Sequence, residues 1–358
     1  RMDEGITVFT MDLAVGDGME TCHKILFSKA TIAMKRVFPN GTGFVAILAL
    51  LLGWAWIDPK AAVSGGPVIT GLIANFLIVV IFFLQGWRLR PARMFEVWAD
   101  GYTLWITQIA IIATPVALVL SGWAVGVISE EKLSPFLLLA CLPTTISSCV
   151  VYARGAGGDG DYALGHATLS NLLAPFLVPL AWFFLIRPSG PAHFPMTSAL
   201  MEVVPNMLLL VGLPCFFGWW FRKAVTPKLK PLAEWLAGNL PLVGIALLAY
   251  FSLGQALILH GREQCRAEAV ELLLPLGGGF LLLSFFSWFL SGLIRRDRGG
   301  RVATFFCLSQ KSLALGIPMV HLLVGSNDAE LFKWVFPVIL LHFIQLVLGA
   351  LIMLLLRR

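Results

Sequence analysis

The chain has 358 residues, 58% hydrophobic and 13% charged, with a mean hydropathy of +0.85 and a formal net charge of +6. So few polar groups cannot cover a soluble globule of this size, and an integral, multi-pass membrane protein is expected. Six cysteines are scattered without a CxxC pair, so no disulfide framework or cysteine metal site follows, and small apolar packing is their expected role, with Cys265 alone placed in an outward loop.

Residues 1–33 are mixed polar and lack the basic start, apolar core and cleavage site of a signal peptide. They are read as an extension that the fold does not need, and Met34-Lys35-Arg36 looks like the more natural start. Apolar runs near the twenty or so residues that span hydrocarbon follow at about 42–57, 67–87, 103–127, 133–152, 162–186, 203–221, 236–258, 271–294, 302–324 and 332–356. The loops test that count. With the N-terminus inside, the inner loops and ends carry Lys35, Arg36, Arg88, Arg90, Arg93, Arg154, Arg222, Lys223, Lys228, Lys230, Arg295, Arg296, Arg298, Arg301, Arg357 and Arg358. The outer loops carry only Lys60, Lys132, Arg187, Arg262, Arg266 and Lys333. Cytoplasmic loops collect Lys and Arg, so ten spans with both termini cytoplasmic are expected, in a bacterial inner membrane given the compact loops. The net charge then calls for no nucleic acid, and membrane lipid is the expected surrounding partner.

The ten spans divide into two sets of five, 34–190 and 191–358. The fourth span of the first set reads Cys141-Leu142-Pro143-Thr144-Thr145-Ile146-Ser147-Ser148-Cys149, and its counterpart, the ninth span, reads Ser309-Gln310-Lys311-Ser312-Leu313-Ala314-Leu315-Gly316-Ile317-Pro318. An odd number of spans per set inverts the second relative to the first. Interrupted helices at corresponding places in inverted repeats point to a site at the membrane midplane. The all-α fold expected is therefore two inverted five-helix repeats in which the broken helices 4 and 9 meet. Pro143 breaks the first, and Gly316-Ile317-Pro318 is expected to break the second. An ammonium at mid-bilayer costs about 2.5 kcal/mol or more, so Lys311 must be sheltered by protein or water.

Between the fourth and fifth spans, Gly155-x-Gly157-x-x-Gly160 matches a dinucleotide fingerprint, but no strand precedes it. Gly158-x-Gly160-Asp161 matches the GxGD of intramembrane aspartyl proteases, yet no second Asp lies within a span. A tight turn with Asp159 or Asp161 capping the fifth helix is the better reading. HExxH, GxSxG and Walker sequences are lacking, and an enzyme is not expected.

Cys141-Leu142-Pro143-Thr144-Thr145-Ile146-Ser147-Ser148, then Ala156-Gly157-Gly158-Asp159, then Ser170-Asn171-Leu172-Leu173 resemble the fourth and fifth spans of the bile acid:sodium symporter family. Phe305-Phe306-Cys307, Lys311-Ser312-Leu313 and Gly316-Ile317-Pro318-Met319 are similar to the branch that includes its orphan seventh vertebrate member and bacterial relatives. So is Phe83-Leu84-Gln85-Gly86-Trp87-Arg88-Leu89-Arg90 after the second span. The resemblance runs from about residue 38 to the end. It implies a core domain holding the crossed helices, a panel domain moving against it, and a small-molecule solute, usually an organic anion, carried with sodium. By position, the candidate substrate and ion residues are Thr144, Thr145, Ser147, Ser148, Thr168, Asn171, Ser309, Gln310, Lys311, Ser312 and Gln108. Sodium would draw on Ser147 or Ser148 with Thr168, and on Gln310 with Gln108.

The chain departs from the sodium-coupled pattern in three places. Phe306 stands where those members carry an acidic residue, Cys149 where asparagine is common, and Lys311 lies beside the crossing. A cation within a few ångströms of a sodium site repels it by several kcal/mol, as an order of magnitude in a low dielectric. Lys311 is therefore expected to replace the bound cation, bridging Ser147, Ser148 and Gln310 oxygens. Its role stays open between proton coupling, a counter-ion for an anionic solute, and a structural pin. The expected function is secondary active transport of an organic anion or amphipathic solute by alternating access. The alternative is a regulatory membrane protein that keeps the carrier fold and moves no solute. His166 lies in the fifth span, and His342 and Gln345 lie in the tenth, while Trp87, Trp98, Trp219 and Trp220 near span ends are expected to anchor at the membrane interface.

Overall fold

The computed structural model describes residues 42–63, 66–89, 91–186, 201, 205, 206, 208–324 and 328–357. The expected extension at 1–33 and the expected repeat boundary at 190 lie outside them. The described residues contain no strand, and a helical segment falls on each of the ten apolar runs. In chain order these are α1 (Thr42–Ile57), the short α2 (Pro59–Ala62), α3 (Gly66–Arg88), the surface helix α4 (Pro91–Ala99), α5 (Gly101–Ala124), α6 (Glu130–Cys141) and α7 (Ile146–Gly155). Next comes α8 (Gly160–Ala181), which runs on into a π-turn, Trp182–Ile186. A second π-turn, Leu208–Gly212, leads into α9 (Leu213–Phe221). Lys230–Ile294 is one helical stretch broken at Gly261, giving α10 (230–260) and α11 (262–294). The chain ends with α12 (Arg298–Ser309), α13 (Leu313–Val324) and α14 (Asp328–Leu356).

Four stretches are each long and apolar enough to cross a membrane, Lys230–Ile294 counting as one, and five are if α6 and α7, bent by 66°, form one span. The protein is an integral membrane protein. Large side chains exposed along these helices, such as Leu274 at 82% and Phe285 at 68%, suit hydrocarbon rather than water as their surroundings.

Four aspartates start four helices by accepting backbone N–H bonds that the first turn cannot satisfy itself. Asp58 accepts from Ala61, Asp100 from Thr103, and Asp297 from Gly300, while Asp159 accepts from both Asp161 and Tyr162. The turn before α8 is therefore the capped turn expected, with Gly157 at φ 76° where a side chain would be strained. Asp159 also donates its own N–H to Gly299 O at 3.0 Å. That bond joins the start of α8 to the start of α12.

Three expectations are corrected. Cys265 lies in no outward loop but is fully buried within α11, because the chain turns at the single residue Gly261 (φ 78°, ψ 164°). The ninth span does not break at Gly316-Ile317-Pro318: α13 runs through all three, and the break lies at residues 310–312. Gly316 serves close packing instead, since a methyl group there would meet Leu142 Cδ1 at 2.8 Å. Trp87, expected at the interface, is buried at 5% exposure.

Helices α3 and α9 touch backbone to backbone. A methyl group on Gly86 would collide with the carbonyl of Cys215, and one on Gly218 with the carbonyl of Phe83. Small residues at such contacts replace the hydrophobic drive that lipid removes. Gly218→Ala should therefore push the two helices apart at a cost of about 1–3 kcal/mol, seen as a lower melting temperature of the purified protein. Gly53→Ala, where nothing lies within 4 Å, should leave it unchanged.

Candidate functional site: the crossing of two broken helices

Breaking a helix leaves its last carbonyls without donors. In the first broken span, α6 ends at Cys141 and α7 begins at Ile146, with Pro143 between them. In the second, α12 ends at Ser309 and α13 begins at Leu313. The two breaks meet through a backbone bond, Ser312 N donating to Pro143 O at 2.9 Å. Ser312 also accepts the Leu315 N–H on its hydroxyl at 3.3 Å, so it starts α13 and its oxygen faces its own helix.

Lys311 lies at this meeting point, 3% exposed. It is the sole buried Lys, Arg, Asp or Glu among the described residues, so no buried carboxylate there answers its charge. Its ammonium donates to three backbone carbonyls: Ile111 O at 2.7 Å, Ala140 O at 2.7 Å and Leu142 O at 2.9 Å. All three N–H bonds of the ammonium are thereby used. Each acceptor is free for a local reason. Ala140 and Leu142 belong to the broken end of α6, where the helix dipole is also negative. Ile111 stands four residues before Pro115, which has no N–H to return to it. The expectation that Lys311 bridges Ser147, Ser148 and Gln310 is thus corrected: hydroxyl and amide oxygens lose to carbonyls that have no other donor.

The backbone of Lys311 is held as tightly as its side chain. Gln345 of α14 accepts from Lys311 N at 2.8 Å and donates to Lys311 O at 2.6 Å, replacing the helical bonds that the break removes. The same amide nitrogen lies 2.7 Å from His342 Nδ1. Since the backbone pairing orients that amide, His342 Nδ1 accepts.

The other predicted residues divide into groups. Ser148 Oγ donates to Gln310 Oε1 at 3.4 Å across the crossing. Thr144 Oγ1, Ser147 Oγ, Ser309 Oγ and Gln310 Nε2 are buried without a partner, and Thr145 is buried beside them in the break. Asn171 braces the first break by donating to Thr144 O at 2.8 Å and Ala167 O at 2.7 Å, and Ser170 accepts from Thr144 N at 3.3 Å. Thr168 bonds back to Leu164 O at 2.7 Å, the ordinary use of a threonine within a span. Gln108 gives its amide to His166, 3.1 Å from the carbonyl and 3.4 Å from Nδ1.

The donor set that a sodium ion needs is correspondingly thin. Cys149 and Cys307 place their sulfurs 3.4 Å apart, and Phe306, fully buried, packs on Tyr152 with ring centroids 5.7 Å apart. Soft sulfur and an aromatic ring are poor ligands for a hard cation, which takes oxygen. The side-chain oxygens left in the two breaks are the unpartnered hydroxyls of Thr144, Ser147 and Ser309 and the Ser148–Gln310 pair. Sequence reading passed over Pro115 and gave Gln345 no task; a proline four residues past a carbonyl at the level of a buried cation was the available signal.

A model of the SBF-like CPA transporter family matches residues 42–358. The chain is 24% identical over 325 residues to sodium/bile acid cotransporter 7 of Danio rerio, covering 87% of this chain and 92% of that protein. It is 22% identical over 326 residues to the Rattus norvegicus cotransporter of the same name, covering 86% and 90%. The protein PA2026 of Pseudomonas aeruginosa is 26% identical over 294 residues, covering 78% and 82%.

Gln345→Leu keeps the volume at the crossing but strands the N–H and C=O of Lys311. At about 1–3 kcal/mol for each of these two buried groups left unsatisfied, it should destabilise the protein by about 2–6 kcal/mol, measured as a fall in melting temperature. Gln345→Glu, which keeps one acceptor, should lose less.

Proposed function

Because the chain belongs to the SBF-like CPA transporter family, we propose that it is a secondary active transporter of an organic anion or amphipathic solute, in which Lys311 stands where a coupling cation would bind. Ten spans in two inverted five-helix repeats, with core and panel domains, would supply alternating access around the crossing, with both termini cytoplasmic. The observation that carries the proposal is the saturation of the Lys311 ammonium by three carbonyls at the contact of the two breaks. Those carbonyls are the kind of oxygen that unwound transporter helices offer to a coupling ion. The positive charge of a bound ion is then built into the chain, and solute flux does not require sodium. The unpartnered hydroxyls of Thr144, Ser147 and Ser309 and the Gln310 amide are left to meet the polar end of a solute as the helices move.

Flux into proteoliposomes tests this, with labelled cholate as the first probe of a panel of amphipathic organic anions. Uptake should be equal in sodium chloride and choline chloride. It should fall at least tenfold in Lys311→Met, and retain part of its rate in Lys311→Arg. Uptake that needs sodium would overturn the cation-replacement reading. A folded protein with no flux of any solute in the panel would favour a regulator that keeps the carrier fold.

A further inference from the structure

A cavity of about 580 Å³ lies between α5, α6 and α11, within the size range of small-ligand sites. Ala140 and Lys311 close its inner end, and Ser129, Lys132 and Glu271 stand at its outer end. From Ser129 to Ala140 along α6 is about 16 Å at 1.5 Å per residue. That is roughly half of the ~30 Å hydrocarbon thickness of a bilayer, the depth of one leaflet. The cavity also opens sideways. Leu274 and Leu282, two helical turns apart on its wall, are 82% and 54% exposed. Gly278 and Gly279 line it with nothing within 4 Å of where a Cβ would stand.

The polar groups are confined to the two ends. At the inner end Lys311 has given all three N–H bonds to carbonyls and offers a ligand no free donor. At the outer end Lys132 pairs with Glu271, whose side chain is 65% exposed. Glu130 and Glu131 follow Ser129 in the first turn of α6. One cation among three carboxylates repels a headgroup of net negative charge. It suits one that carries both signs, phosphate toward Lys132 and ammonium toward Glu271.

We propose that this slot binds one acyl chain of a zwitterionic phospholipid, with its phosphate at Lys132 and its ammonium at Glu271. The chain occupies the apolar wall for the depth of its leaflet and ends beside Lys311. Pro115 and Ala140, both on that wall, are the residues that leave carbonyls for Lys311, so an occupied slot braces the crossing from one side. The proposal goes beyond the transport reading and holds whether or not a solute is carried.

The test is native mass spectrometry of the delipidated protein in decyl maltoside with lysophosphatidylethanolamine or lysophosphatidylglycerol, alongside melting temperature. The wild type should retain one lysophosphatidylethanolamine at least fivefold more strongly than the glycerol lipid, and melt several degrees higher with it. Gly279→Leu fills the slot and should weaken retention at least tenfold. Glu271→Gln leaves the slot open and changes an exposed side chain, so it should fold, and it should abolish the preference between headgroups. Equal retention of the two lipids by the wild type, no retention of either, or an unchanged preference in Glu271→Gln would overturn the proposal.

Discussion

A bare ammonium in the middle of a membrane protein has to be surrounded by oxygen, and Lys311 finds three carbonyls that no N–H claims. Much of the described architecture follows from that requirement. Helix α6 must end at Cys141 so that Ala140 and Leu142 are free, and α5 must carry Pro115 so that Ile111 is free. The break between α12 and α13 must fall at Lys311 itself so that the side chain can reach all three. Each helix defect on its own would leave polar backbone unsatisfied in hydrocarbon, at several kcal/mol per group. Placed together, the defects satisfy one another.

The second half of the same constraint is the glutamine on α14. A break puts the N–H and C=O of Lys311 out of reach of helical partners, and a side-chain amide has the one donor and one acceptor that replace both. Gln345 does so while its nitrogen also meets His342. Five elements, α5, α6, α12, α13 and α14, are tied at one residue. The Cys149–Cys307 contact and the Phe306 ring on Tyr152 complete the surroundings with groups that do not compete for a cation.

Much of this was legible in the chain. Ten apolar runs, each carrying a helical segment, followed from hydropathy, and the break at Pro143 from the ring that removes a donor. The cost of an ammonium in hydrocarbon singled out Lys311. What could not be read was the partner of that ammonium, because carbonyls are present at every residue and become available only where a distant proline or helix end releases them. The break in the ninth span was misplaced for a related reason. Gly316 and Pro318 look like breakers, but an α-helix begins at Leu313 once Ser312 caps it, and Gly316 is small because Leu142 lies against it. Cys265 was misjudged because one glycine at positive φ turns a chain that otherwise needs a loop.

The central claim is that the built-in cation replaces a bound one, and the most direct measurement is the melting temperature of the purified protein in sodium chloride against choline chloride at equal ionic strength. A ion that binds only the folded state raises stability by RT ln(1 + [L]/Kd). The account predicts the same melting temperature in both salts across a sodium titration. A sodium-specific rise that saturates with concentration, and that Ser148→Ala or Gln310→Ala abolishes, would contradict it.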